Sequence, residues 1–537
     1  LVGITSRRLL LNEDDQPTVR HPSEFILSID LGTGGPKVAL VASDGTMAAS
    51  ALRPVQTNSL GPNAAEQNPE EIWQAILSAA KQVLNEAGQP ASSILGISCT
   101  SQYFSIVPID DAGLPVGPMI PWMDGRGAQH TIALYQAHPN LVSRWIDITG
   151  MPPLPSGNDS LSHMLFLKHQ RPEIYQRATK LVEPSDYITT RLSGRCATNA
   201  CTAFGQLLTD NRRLDRVDYD DELVALSGLD REKLPDLVPV GSCLGPLQGE
   251  IAQELGLDPA TRVFTGVNDT HAAAIGTGVF RRGHGAINIG TTCQVLAFVD
   301  EKKTDLENWI LSMPSPIQNQ YMVMSEVGLG GKPLEHFLTQ FAFAKDDLAD
   351  HTATNPFENV EKAVQSSPAG SGGLLYLPWL KGSQSPRANA SMRAGFLNIS
   401  LETNRADLLR SVLEGVSNSL RWVLPAVEKF IGEEIDSLQF SGGGAVSNEW
   451  SQIMADTMNR PVHQLAEPRF VNNRGSAFLA FQELGLTSLS DIDKFCRIAN
   501  IYPPKPENRS LYDKHFEQFV AAWDQNRPIF EALNSPD

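Results

Sequence analysis

Short apolar runs alternate along the chain with stretches in which apolar residues recur every three or four positions, a strand-and-helix pattern that predicts an α/β fold. FILSIDLGTGGPKVALVASDG (25–45) reads as an apolar strand, a Gly/Thr turn and a second apolar strand. After it, Asn68 and Pro69 open a helix in which Ile72, Ala75, Ile76, Ala79, Val83 and Leu84 share a face and Gly88 marks the end. ILGISCTSQ (94–102) reads as a buried strand, 115–127 as a Pro/Gly loop, and 161–170 and 183–194 as helices. VFTGVNDTHAAAIGTGVF (263–280) is a strand, a polar turn and a small-residue helix from about Thr270. A second strand–turn–strand unit, GAINIGTTCQVLAFVD (285–300), then repeats the first, and 440–462 gives a strand, a triple glycine and a helix. Residues 1–24 read as a flexible extension and 486–537 as a helical C-terminal appendix, amphipathic over 513–526.

In the two hairpins, Gly290-Thr291 stands where Gly32-Thr33 stands. Glycines without a Cβ let backbone N–H groups crowd an anion, so one such turn per half suits a polyphosphate gripped between two halves. This outline resembles the actin/hexokinase/Hsp70 superfamily and implies two actin-like (ribonuclease H-like) domains, 25–280 and 284–485, with a cleft between them.

The candidate chemistry lies where the strands end. Asp30, just before Gly32-Thr33, is read either as a carboxylate facing Mg²⁺ largely through water or as a turn-stabilising Asp. Lys37 would offset phosphate charge or be a solvated strand residue. Asp269, at the strand-to-helix turn, is read either as the general base for an acceptor hydroxyl or as a helix N-cap. SGGGAVSNEW (441–450) suits an adenine/ribose shelf, although glycine loops have many uses. Trp122, Asp124 and Arg126 would line a polyol pocket, or form a loop held by an ion pair around a buried Trp.

Composition narrows the partners. The chain has 537 residues, enough for two large domains, with 41% hydrophobic and 19% charged residues. A net charge of −18 argues against nucleic acid or an anionic membrane as a partner. No apolar run reaches the ~18 residues of a membrane span, and six scattered cysteines without a CxxC pair read as reduced thiols, so a cytoplasmic setting is expected.

Taken in order, IDLGTGGPK (29–37), WMDGR (122–126), EPSDYITTRLSG (183–194), GVNDTHAAAIGTG (266–278), NIGTTCQ (288–294), GGKPLEHF (330–337), RADLLRSVLEGV (405–416) and SGGGAVSNEW resemble the FGGY-type carbohydrate kinases, most of all the xylulokinase-like members, over about 25–485. The resemblance implies closure of two domains on ATP-Mg²⁺ and a sugar, with transfer of the γ-phosphate to a sugar hydroxyl. Asp269 would be the base and, with Asp30, a metal residue. Gln102, Trp122, Asp124, Arg126 and Asn268 would hold the substrate. Gly32, Thr33, Lys37, Gly290, Thr291, Thr292 and Gly330 would hold the phosphates, and Gly443, Gly444 and Asn448 the adenosine. D-xylulose is the provisional substrate, glycerol or another polyol the alternative, and a homodimer is expected by analogy. An actin-like ATPase module would have no reason for the polar loop 122–126, and a binding-only pseudokinase no reason to keep Asp30 and Asp269. Two positions depart from the xylulokinase pattern. Gln102-Tyr103-Phe104-Ser105 replaces Gln-Met-His-Gly, and Trp122-Met123-Asp124 replaces Trp-Asn-Asp. Losing a His and an Asn removes partners for sugar hydroxyls, so a changed substrate is expected.

Overall fold

The computed structural model describes residues 24–138, 140–347 and 351–534. The expected extension 1–24 lies, apart from Glu24, outside the described residues. Each half of the chain builds one sheet around one hairpin. In the first, Phe25–Gly32 pairs antiparallel with Gly35–Ala42 and parallel with Ile94–Ser101. In the second, His284–Ile289 pairs antiparallel with Thr292–Val299 and parallel with Ser437–Gly442. The two hairpins are therefore the same device in topology as well as in sequence. Among the described residues, seven strands make the N-terminal sheet and eight the C-terminal one.

The hairpin strands are buried on both faces, which explains their near-continuous apolar runs. On the N-terminal sheet lies the helix Pro69–Ala87, where the Asn68 side chain accepts from the Glu70 N–H at 3.0 Å and Gly88 closes the helix at φ 59°. Ile72, Trp73, Ile76, Leu77 and Val83 supply its buried face. Beneath the C-terminal sheet runs Arg405–Ile431, whose Val412, Leu413, Val416, Leu420 and Val423 are fully buried with Ile287, Val295 and Phe440.

Two helices exchange sides. Asp269–Thr277 follows the N-terminal sheet but also touches the strands His284–Ile289 and Ser437–Gly442. Val471–Glu483 follows the C-terminal sheet but packs on Phe25–Gly32, Gly35–Ala42 and Ile94–Ser101. The two helices cross where glycines remove side chains: a Cβ on Gly475 would lie 2.0 Å from the Ala272 carbonyl oxygen, and one on Gly276 2.2 Å from that of Val471. Ile26, Val41, Phe264, Ile275, Phe478, Phe481 and Phe495 form the shared core around this crossing.

The C-terminal segment departs from the all-helical expectation. Ile498–Tyr502 is a strand that pairs antiparallel with Val462–Leu465 and forms the outer edge of the C-terminal sheet. Its IANIY sequence is rich in β-formers, and the helix Arg509–Asn534 follows it.

Candidate active site

The strand Phe25–Gly32 delivers Asp30, and its antiparallel partner places Lys37 directly opposite. Lys37 Nζ forms an ion pair with Asp30 Oδ2, and the carboxylate is 1% exposed. Neither carboxylate oxygen accepts a hydrogen bond from the turn. Asp30 is thus paired across the hairpin rather than bonded to its turn, and the partly exposed Lys37 is held by that pair.

Asp269 begins its helix, but Asn268 is the residue that caps it: Asn268 Oδ1 accepts from the His271 N–H at 3.0 Å. The Asn268 amide also donates to the Cys201 carbonyl at 3.1 Å, so Asn268 is buried and fully engaged. The Asp269 carboxyl is left for other work. Burial, and then the neighbouring Asp30 carboxylate, push it up to about 7, with Lys37 opposing and Glu326 adding to the rise.

Beside these acids the substrate-side residues form one network. Thr33 Oγ1 donates to Gln102 Oε1 at 2.8 Å and accepts from Trp122 Nε1 at 2.9 Å. Gln102 Nε2 donates to Gln67 Oε1, and Gln67 Nε2 donates to the Thr33 carbonyl, both at 2.9 Å. Asp124 is 0% exposed: it accepts from Arg126 Nε at 2.7 Å, from the Arg126 N–H at 3.0 Å and from the Ala65 N–H at 2.8 Å. Arg126 also pairs with Glu66 at 2.9 Å and lies over the Phe166 ring. This is the geometry of an ion-paired loop, in which Asp124 shapes the wall and Trp122 is its more exposed member.

On the C-terminal side, Gly290, Thr291 and Thr292 turn between the strands of the second hairpin. The Gly331 N–H donates to the Gly290 carbonyl at 2.8 Å and the Gly330 N–H to that of Thr291 at 3.0 Å. Gly330 must be glycine here, because a Cβ would lie 2.8 Å from the Thr292 carbonyl oxygen. The triple glycine seats on the same hairpin: a Cβ on Gly444 would meet the Ile289 side chain at 2.9 Å, whereas Gly443 is exposed with nothing nearer than 3.8 Å. Asn448 opens the next helix, exposed, with Oδ1 accepting from Gln464 and Tyr502.

Among the described residues, no atom beyond the chain neighbours would come nearer than 3.9 Å to a Cβ on Gly32 or Gly290, and none within 4 Å of one on Gly34. Such open, backbone-walled turns fit phosphate oxygens. Asp30 Oδ1, which Lys37 leaves without a partner, likewise fits a cation. Among the described residues no group of three His, Cys, Asp or Glu could hold a metal alone, so such a cation would take its remaining ligands from water and phosphate.

Two side chains at the site are absent from the residue assignments made on the sequence. Tyr103 donates from Oη to Met324 Sδ at 3.5 Å, linking the N-terminal turn to the strand Tyr321–Leu329, and its ring stacks on Phe104 with centroids 4.3 Å apart. Glu326 lies on that strand opposite Gln294. A lone acid within the apolar run YMVMSEV was the available signal for Glu326. The departure at Tyr103-Phe104 was the signal for Tyr103.

Two hairpin sheets of the same topology, an exchanged pair of helices, and an acidic and a glycine-walled turn at their strand ends define a two-domain actin-like phosphotransferase. Models of the FGGY family of carbohydrate kinases match the chain, the N-terminal domain over residues 25–276 and the C-terminal domain over 285–482. The protein belongs to that family and is an ATP-dependent carbohydrate kinase. A xylulose kinase of Bacillus subtilis is 26% identical over 515 residues, covering 95% of this chain and 99% of the relative. A gluconokinase of the same organism is 27% identical over 488 residues, covering 89% and 90%. The fold is shared with the gluconate kinase of Lactobacillus acidophilus (TM-score 0.81, 24% identity, 95% of this chain and 99% of that one) and with the ligand-bound xylulose kinase of that organism (TM-score 0.80, 24% identity, 95% and 100%). Among the described residues no helix is long and apolar enough to cross a membrane.

Proposed function

We propose that the enzyme transfers the γ-phosphoryl group of ATP to a hydroxyl of a small sugar or polyol, provisionally a ketopentose such as D-xylulose, with Asp269 as general base. The observation that carries this reading is that Asn268 takes the capping role, which leaves the Asp269 carboxyl at the head of its helix for the acceptor hydroxyl. A carboxylate within reach of that hydroxyl accepts its proton, and in phosphoryl transfer the rest of catalysis is positioning and charge stabilisation. Asp30, and Asp269 beside it, would hold a Mg²⁺ ion, which when bound neutralises phosphate charge. The turns at Gly32-Thr33 and Gly290–Thr292, with Gly330 behind the latter, would receive the phosphates, Lys37 would compensate their charge, and Gly443, Gly444 and Asn448 would flank the adenosine. Gln102 and Trp122 would form the sugar side, with Asp124 and Arg126 holding its wall; Asn268, expected from the sequence as a substrate ligand, is spent on the cap and the Cys201 carbonyl and would instead position Asp269.

The domains would lie at 25–280 and 284–485, close on the paired ligands and work in the cytoplasm, with a homodimer as the expected assembly. The altered Tyr103-Phe104 turn supports glycerol or another polyol as the alternative acceptor. An ADP-release assay over ketopentoses, polyols and aldoses tests the reading. Turnover of a ketopentose well above the ATPase background supports it, and background rates on every acceptor contradict it.

A further inference from the structure

Resting on this kinase reading, we propose that Arg469 is a further nucleotide-binding residue: placed between the first hairpin and the triple-glycine turn, it holds the β-phosphate of ATP and takes up the charge that phosphoryl transfer leaves there. Two contacts place it. The Arg469 carbonyl accepts from Lys37 Nζ at 3.4 Å, and Lys37 pairs with Asp30, so the backbone of Arg469 stands beside that ion pair. The same turn, Pro468–Phe470, packs against the strand Ser437–Gly442 and against Gly444–Val446 after it. Arg469 thus comes from the far half of the chain, yet it lies between the hairpin proposed for the transferred phosphate and the shelf proposed for adenosine. A polyphosphate joining those two places passes this residue.

The turn is held from both sides. Gln464 Nε2, on the strand that leads into it, donates to the Ala445 carbonyl at 2.8 Å. Glu467 enters it in the left-handed region, at φ 44°, and Arg474 Nη1 pairs with the Glu467 carboxylate at 2.9 Å. Just beyond, Asn473 Nδ2 donates to the Ser28 carbonyl at 3.0 Å and to that of Lys37 at 3.2 Å, which ties the helix Val471–Glu483 to both strands of the first hairpin. The neighbouring cations are engaged: Lys37 with Asp30, and the fully buried Arg474 with Glu467. Arg469 is exposed, and among the described residues its guanidinium makes no hydrogen bond or ion pair. A chain of net charge −18 needs local cations to receive a polyanionic nucleotide. A guanidinium offers a planar fork that matches two phosphate oxygens. In the transfer, the acceptor oxygen bonds to the γ-phosphorus as the bond from that phosphorus to the bridging oxygen breaks. The electron pair of the broken bond stays on the β-phosphate of ADP, and the acceptor proton goes to Asp269. Negative charge therefore grows at the β-phosphate, where a fixed cation binds the transition state more tightly than the ground state.

The test is equilibrium binding of ADP and of adenosine to the full chain by calorimetry, at fixed Mg²⁺, in the parent and in Arg469→Gln. Gln removes the charge from an exposed position, and a thermal melt reports whether the variant is folded. The proposal expects the preference for ADP over adenosine to shrink at least about tenfold in the variant, with adenosine affinity within about twofold of the parent. A merely structural role would weaken both ligands together. A smaller change in the preference, a parallel loss of both affinities, or no ADP binding by the parent would overturn the proposal. Should Arg469→Gln not fold, Arg469→Lys, which keeps the charge but not the fork, is read on the same ratio; a loss of at least about threefold is expected, and a smaller one contradicts the proposal. The outcome is separable from the kinase reading. An ADP preference that depends on Arg469, without phosphoryl transfer to any acceptor, sinks that reading alone. Transfer by Arg469→Gln at the parent rate, with the preference unchanged, sinks this one alone.

Discussion

Lys37 and Asp30 sit directly opposite each other on adjacent strands of the first hairpin and form an ion pair around an otherwise orphaned buried carboxylate. Removing the lysine leaves that charge uncompensated. Lys37→Met is expected to lower stability by about 1–3 kcal/mol, below the full cost of breaking a buried pair because Lys37 is itself partly exposed. Urea denaturation checks this, and adding Asp30→Asn to Lys37→Met should recover most of the loss.

Asp124 is expected to act through the wall it builds. Asp124→Ala leaves the Ala65 N–H and Arg126 Nε without their acceptor, at a cost of about 2–4 kcal/mol. Calorimetry should show sugar binding weakened and ADP binding within about twofold of the parent. A fall in nucleotide affinity with sugar binding intact would move this loop to the other ligand.

At the helix crossing, Gly475→Ala puts a methyl group against the Ala272 carbonyl, which is fixed backbone. A loss of about 2 kcal/mol or more is expected, with a shifted interdomain angle. Denaturation and small-angle scattering of the variant measure the two effects.

The hairpins, the first helix and the glycine turns were legible because strand alternation, caps and Gly placement are local properties. Asn68 and Gly88 stand where the pattern put the ends of their helix. What stayed hidden depends on distant segments. The sequence around Asp269 permits either a base or a helix cap, and only the contacts of Asn268 to His271 and Cys201 show that the cap is elsewhere. Asp124 reads as a ligand until the Ala65 backbone, 59 residues away in sequence, is seen to occupy it. The strand Ile498–Tyr502 was hidden for a similar reason, since its partner is the edge of a sheet built from earlier segments.

Asp269 also links stability to pH. Its carboxyl moves from an ordinary 3.8 to about 7 on folding. Between those values the folded protein binds more protons than the unfolded chain, so this group's contribution declines as pH rises from about 4 to 7. Asp269→Asn, fixed in the neutral form, should match the parent near pH 4 and exceed it at pH 8. Discounted for partial exposure, the gain is about 1–2 kcal/mol. Denaturation midpoints at the two pH values measure it.

The most direct test of the account is turnover by that same variant. Asn keeps the shape of Asp269 and leaves the Asn268 cap untouched, so folding and the affinities for sugar and ADP should hold. It accepts no proton from the sugar hydroxyl, so kcat should fall at least about 10²-fold. A folded Asp269→Asn enzyme that turns over within a few-fold of the parent would contradict the assignment of the base.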